Sequence, residues 1–188
     1  MEEILKKYPK KGFLGIYDYK IDSKYRLLVP PDFIDLLKTE YQDEHLSLIL
    51  CLSLELSISA FPHRNYDEYL SYLQQRSLLD RNMRAVITMT RGTSSPQTLD
   101  SQNRIKIHEE LLSLAGIIPP SEFEEGEGTI DPDASPVPYS KEVYIKGFGD
   151  HFEIWAKHRW NKFILKTSRN LDAISDKLSD NPIPPKGG

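Results

Sequence analysis

The chain has 188 residues, 28% of them charged and 39% hydrophobic, with a formal net charge of -4. That composition fits a soluble globular chain and excludes a collagenous, low-complexity or disulfide-framework protein. No apolar run approaches the roughly 18 residues of a membrane span. The acids in Met1-Glu-Glu-Ile-Leu-Lys-Lys7 argue against a signal peptide, so a cytoplasmic protein with no membrane partner is expected.

Residues 1–12 read as a flexible, lysine-rich arm. Residues 1–26 hold seven bases against four acids, a local positive surface of the kind phosphate contact needs. From Phe13 to Ile21 apolar and aromatic residues alternate with Leu14, Ile16, Asp18 and Lys20, a strand pattern. A turn follows in Asp22-Ser-Lys-Tyr-Arg26, then a short strand to Val29. Pro30-Pro31-Asp32 opens a helix, because proline and an acid suit a first turn. Phe33, Ile34, Leu36 and Leu37 supply its apolar face.

Leu46–Ser53 and Leu56–Phe61 read as two strands around Leu54-Glu55. Cys51, the single cysteine, lies in that apolar run and reads as a buried thiol. Tyr66, Tyr69, Leu70 and Leu73 fall at helical spacing. Leu79, Met83, Val86 and Ile87 mark a second helix. Residues 88–97 carry the breakers Gly92, Ser94, Ser95 and Pro96 and read as a loop or irregular strand.

The turn then returns as Asp100-Ser-Gln-Asn-Arg104. At an offset of 78 residues Asp22, Ser23 and Arg26 match identically. Ile21, Leu27, Val29, Phe33, Ile34 and Leu36 meet Leu99, Ile105, Ile107, Leu111, Leu112 and Leu114. One half-domain is used twice: residues 13–92, then 93–170. Gly116 stops the second helix. Residues 117–140 repeat nothing, and are rich in Pro, Gly and acids. With their six acids and no Lys or Arg set aside, the net charge moves from -4 to +2. They read as an exposed acidic insertion. Trp160, Phe163 and Ile164 match Tyr66, Tyr69 and Leu70 at an offset of 94, the excess being close to the length of that insertion.

Residues 142–147 and 152–155 suggest a hairpin around Gly149-Asp150, followed by a helix with Trp160, Phe163 and Ile164 inside. Leu171, Ile174 and Leu178 suggest a last short helix within a C-terminal segment, 171–188, that ends in a flexible tail. Each half is too small to bury much surface alone. Packing the two around a pseudo-twofold axis, in an α+β fold, answers that and places both turns on related faces.

Catalytic motifs are lacking. The five histidines show no i, i+4 pair and there is no Walker loop, so the chain reads as a non-enzyme without a cofactor or metal. The turns are the candidate site. Asp22 and Asp100 shape them through backbone hydrogen bonds. Arg26 and Arg104 can grip phosphate or pair with guanine, or else pair with Asp or a neighbouring strand. Lys24 and Gln102 occupy equivalent tip positions, and Lys20 and Lys106 flank the turns.

Residues 21–30, 99–107, and Lys141 to Phe148 through Phe152-Glu-Ile-Trp155 resemble the MraZ family of bacterial transcriptional regulators. The resemblance implies a duplicated AbrB-like swapped-hairpin fold with a β-barrel core and flanking helices. It further implies a ring-shaped homo-oligomer, nucleoid-associated, that binds short direct repeats of double-stranded DNA before the division and cell-wall genes and represses its own cluster. The family turn commonly has Gly before Arg. Here Tyr25 and Asn103 stand there, and Tyr25 accepts a left-handed backbone only at a cost, so the first turn could differ in shape. A chain of this fold that has lost DNA binding and contacts a protein partner is the alternative.

Overall fold

The computed structural model describes residues 12–43, 45–77, 80–119 and 139–171. The N-terminal arm, most of the acidic insertion and the C-terminal tail lie outside the described residues. Two similar runs of elements follow one another. The first is β1 (Ile16–Lys20), β2 (Arg26–Leu28), α1 (Pro31–Thr39), β3 (Ser47–Leu52), β4 (Ile58–Pro62) and α2 (His63–Ser77). The helix α3 (Arg81–Gly92) links it to β5 (Ser95–Thr98), β6 (Arg104–Lys106), α4 (Glu109–Leu114), β7 (Glu142–Gly147), β8 (Phe152–Ala156) and α5 (Lys157–Arg169).

All strand pairs are antiparallel, and the large sheet has the order β1-β7-β8-β4-β3-β5. That order is palindromic in the two runs. Each run's first strand therefore pairs outside its own run, β1 on β7 and β5 on β3. The second strands pair with each other, Leu27 opposite Ile105, as a separate two-stranded ribbon. Among the described residues the order is open, ending on β1 and β5.

The main core lies where the ribbon, α1 and α4 meet one face of the sheet, with Phe13, Leu27, Leu37, Leu50, Ile105, Leu112 and Ile145 buried in it. Phe13 sits between Phe33 and Phe152, at 5.0 and 5.5 Å between ring centroids. Gly147 lets the chain pass there: a Cβ on it would lie 2.3 Å from the Phe13 carbonyl carbon. The other face of β3 and β4 packs Ile49, Cys51 and Phe61 against Tyr66, with Tyr69 and Leu70 half-buried beside them. Burial pushes the Cys51 thiol up to about 12, so it stays a neutral hydrophobe. On β8, Trp155 packs against Trp160 and Phe163 of α5.

The structure differs from the sequence expectations in three places. Residues 88–92 continue α3, whose N-cap Asp80 accepts from the Asn82 amide, and β5 forms only from Ser95. Ile164 is exposed, because only the Trp160 and Phe163 side of α5 meets the sheet. Ile117 and Ile118 are buried in the main core, so the sequence that repeats nothing begins there as core. Among the described residues, no helix is long and apolar enough to cross a membrane.

Candidate nucleic-acid interface

The two Asp-Ser-x-x-Arg turns, 78 residues apart, meet because β2 pairs with β6. They are built alike. Asp22 Oδ1 accepts from the amides of Lys24 (2.8 Å) and Arg26 (2.9 Å). Asp100 Oδ1 accepts from those of Gln102 (2.9 Å) and Arg104 (3.0 Å). The other oxygen of each carboxylate takes its own arginine: Arg26 Nε at 2.8 Å and Nη2 at 2.7 Å, Arg104 Nε at 2.8 Å and Nη2 at 2.7 Å. Each Asp thus holds its turn and neutralises its Arg.

These contacts hold both carboxyls at about 2, with the arginine hydrogen bond the largest cause in each. Arg26 also reaches across, its Nη1 lying 3.8 Å from Asp100 Oδ2. The Arg104 Nη1 has no hydrogen bond among the described residues.

Tyr25 and Asn103 share one backbone conformation, with φ of +59° in both. A left-handed residue at that point turns its carbonyl towards the opposite turn. The Ile107 amide donates to the Tyr25 carbonyl (2.9 Å) and the Val29 amide to the Asn103 carbonyl (3.0 Å). The expectation that Tyr25 could give the first turn another shape is therefore not met. Contacts offset its strain: the ring packs against the main core and Lys141 Nζ lies 4.9 Å from its centroid. Burial and then the Glu109 carboxylate push the Tyr25 hydroxyl pKa up.

Alternation along the ribbon sorts its side chains. Leu27 and Ile105 are buried, while Leu28 and Lys106 are exposed and Arg26 and Arg104 half-buried. The outward face is therefore Arg26, Leu28, Arg104 and Lys106, with Lys24 and Gln102 exposed at the turn tips. Lys20, exposed on β1, stands opposite Glu142 of β7. The structure brings five of the six candidate contact residues onto one surface. Lys20 lies off the ribbon, on the strand leading into the first turn.

Leu28, Lys141 and Glu109 were not singled out from sequence. The period-2 alternation of Arg26-Leu-Leu28 could have shown Leu28. Nothing local marks Lys141 or Glu109, which reach Tyr25 from just before β7 and from α4.

A second polar group lies next to the α1–β3 loop, where Ser47 Oγ, at the start of β3, meets His63 Nε2, at the start of α2, at 2.8 Å beside an open cavity of about 760 Å³. Asp43 is engaged by the His45 and Ser47 amides, so it holds the loop and does not orient His63. Among the described residues no group of three His, Cys, Asp or Glu could hold a metal ion.

An antiparallel α+β chain of two like runs, with twin turns joined by a shared ribbon, defines the class: a twice-built scaffold presenting one basic two-turn face. The chain belongs to the MraZ family, whose model, described as "MraZ protein, putative antitoxin-like", matches residues 13–88 and again 89–181. Among similar proteins is the "Transcriptional regulator MraZ" of Oenococcus oeni, 26% identical over 168 residues, covering 89% of this chain and 97% of that relative. Those of Lactiplantibacillus plantarum (24%, 89% and 99% covered) and Finegoldia magna (26%, 89% and 97% covered) bear the same name.

Proposed function

We propose that this chain is a sequence-specific DNA-binding transcriptional regulator that acts by binding and not by catalysis. The observation that carries the reading is the outward face of the β2–β6 ribbon, which sets Arg26, Arg104 and Lys106 beside the tips Lys24 and Gln102. A two-stranded ribbon is of a size the major groove admits. Asp22 and Asp100 offset much of the arginine charge. Lys24 and Lys106, with Lys20 alongside, therefore supply the phosphate contacts, while Gln102 and the free edge of Arg104 read bases. The unlike tips, Lys24 and Gln102, make the two turns read different bases.

In this reading the halves are 13–92 and 93–170, related by a pseudo-twofold axis, and their first hairpins are exchanged to close a swapped-hairpin barrel. The pairing of β1 on β7 and β5 on β3 supports that. The chain assembles as a homo-oligomeric ring in the cytoplasm, at the nucleoid. It binds short direct repeats of double-stranded DNA upstream of a division and cell-wall cluster and represses it. The relatives' printed name supports the regulatory role.

A mobility shift with the DNA upstream of the reading frame tests this. A complex should form at low salt and weaken as salt rises, since phosphate contacts release counterions. Lys24→Ala and Lys106→Ala should each weaken binding evenly across sequences and lower the salt slope by about 1. Gln102→Ala should relax sequence preference instead. An unshifted band at low salt, with oligomer size intact, would favour a scaffold that contacts a protein partner.

A further inference from the structure

Helix α5 carries Lys157, Arg159, Lys162, Lys166 and Arg169 and no acid. Helix α2, which follows β4 as α5 follows β8, mixes Arg64 with Asp67 and Glu68. Two of the α5 cations are engaged. Lys157 Nζ meets Asp18 at 2.8 Å and Glu142 at 3.4 Å, and Arg159 Nη1 donates to the Leu56 and Leu114 carbonyls, both at 2.9 Å.

Lys162, Lys166 and Arg169 are exposed and meet no acid among the described residues. At 3.6 residues per turn they fall within about 60° of one another, away from the Trp160 and Phe163 side. Spaced i, i+4 and i, i+3, they repel one another. Such a stripe invites a polyanion.

The acidic segment is tethered beside it at both ends. Upstream, the Leu114 carbonyl holds Arg159, and a Cβ on Gly116 would lie 2.7 Å from Arg159 Nε. Downstream, Glu142 reaches Lys157. Between these roots, residues 122–133 hold six acids and no Lys or Arg. Residues 120–138 have a contour of roughly 60 Å at about 3.3 Å per residue. From Arg159 to Arg169 α5 spans about 15 Å, so the segment can run out along the helix and back. A double tether gives it an effective concentration on the order of millimolar at that face.

We propose that the acidic segment Glu122–Asp133 docks on Lys162, Lys166 and Arg169 of its own chain's α5. It neutralises this second cationic face and leaves Lys24 and Lys106 as the surface open to an external polyanion. A nucleic-acid backbone or a second copy's acidic segment are the competing occupants.

Zero-length carbodiimide crosslinking of the full-length protein, in a mixture of light and 15N-labelled chains, tests the docking by peptide mass spectrometry. Links from Glu122, Glu124, Glu125 or Glu127 to Lys162 or Lys166 should join peptides of one isotope. Their yield should fall several-fold in about 0.5 M salt, which screens exposed charges. Arg169→Glu, which removes no crosslinkable amine, should lower the yield similarly. Links mainly to Lys20, Lys24 or Lys106, links of mixed isotope, or a yield indifferent to both salt and Arg169→Glu would overturn the proposal.

Discussion

Asp100 does two jobs with two oxygens, one fixing backbone amides and one gripping Arg104. Because its folded pKa of about 2 lies below the ordinary 3.8, its stabilisation is fully present above the ordinary value and lost as pH falls through about 2. In a carboxyl NMR titration Arg104→Ala should bring the Asp100 midpoint back towards 3.8. A midpoint that stayed near 2 would leave the amides as the cause. Tyr25 tests the backbone. At φ of +59° a β-branched residue is strongly disfavoured. Tyr25→Val should therefore cost about 1–2 kcal/mol more than Tyr25→Gly in urea unfolding, since both lose the ring but only one keeps the strain. Equal losses would show that ring packing dominates the position.

The ribbon is the element on which the interface depends, since it alone hydrogen-bonds one turn's strand to the other's. Ile105 is fully buried opposite Leu27, so Ile105→Ala should cost about 2–5 kcal/mol. It should also weaken DNA binding more than Lys106→Ala does, because it loosens both turns together. The β7–β8 hairpin offers a second test. Burial works to lower the His151 pKa, but the hydrogen bond to Asp150 and the Glu153 carboxylate 3.8 Å from its Nε2 outweigh it and the pKa is raised above 6.5. The pair stabilisation is present below 6.5 and lost as pH rises through the raised folded value. Stability of the native chain should fall relative to His151→Gln above neutrality, and parallel curves would exclude the charged pair. Much of this was legible in the sequence: alternation at Leu27, Val29, Ile105 and Ile107 marks the strands, and the paired Asp and Arg mark the turns. The partner of each strand was not legible, because a period-2 pattern gives a strand's faces and not its neighbour. The sequence offered the arginines both Asp and DNA as partners, and only the turn's closed geometry shows that Asp22 and Asp100 take them. Residues 88–92 misled because Gly92 ends α3, whereas its position among Ser and Pro suggested a loop throughout.

At the scale of the molecule, one chain joins both turns into a single face, which in the proposed DNA complex covers only a short segment of duplex. Much of the arginine charge on that face is already met by Asp22 and Asp100, and few cations remain to neutralise phosphate. On the proposed reading a single face should therefore bind weakly and with a shallow salt dependence. Strong binding requires several faces acting together, which the proposed ring supplies: once one face is seated, the next binds at high effective concentration. Affinity should then rise by about 10²–10⁴ from DNA bearing one repeat to DNA bearing several in register. Spacing the repeats by half a helical turn should abolish most of the gain, because alternate faces would meet the wrong side of the duplex. Fluorescence anisotropy with one, two and four repeats, at fixed salt, measures this directly. A gain no larger than the increase in number of sites would mean that each chain binds alone, and the ring would then play no part in recognition.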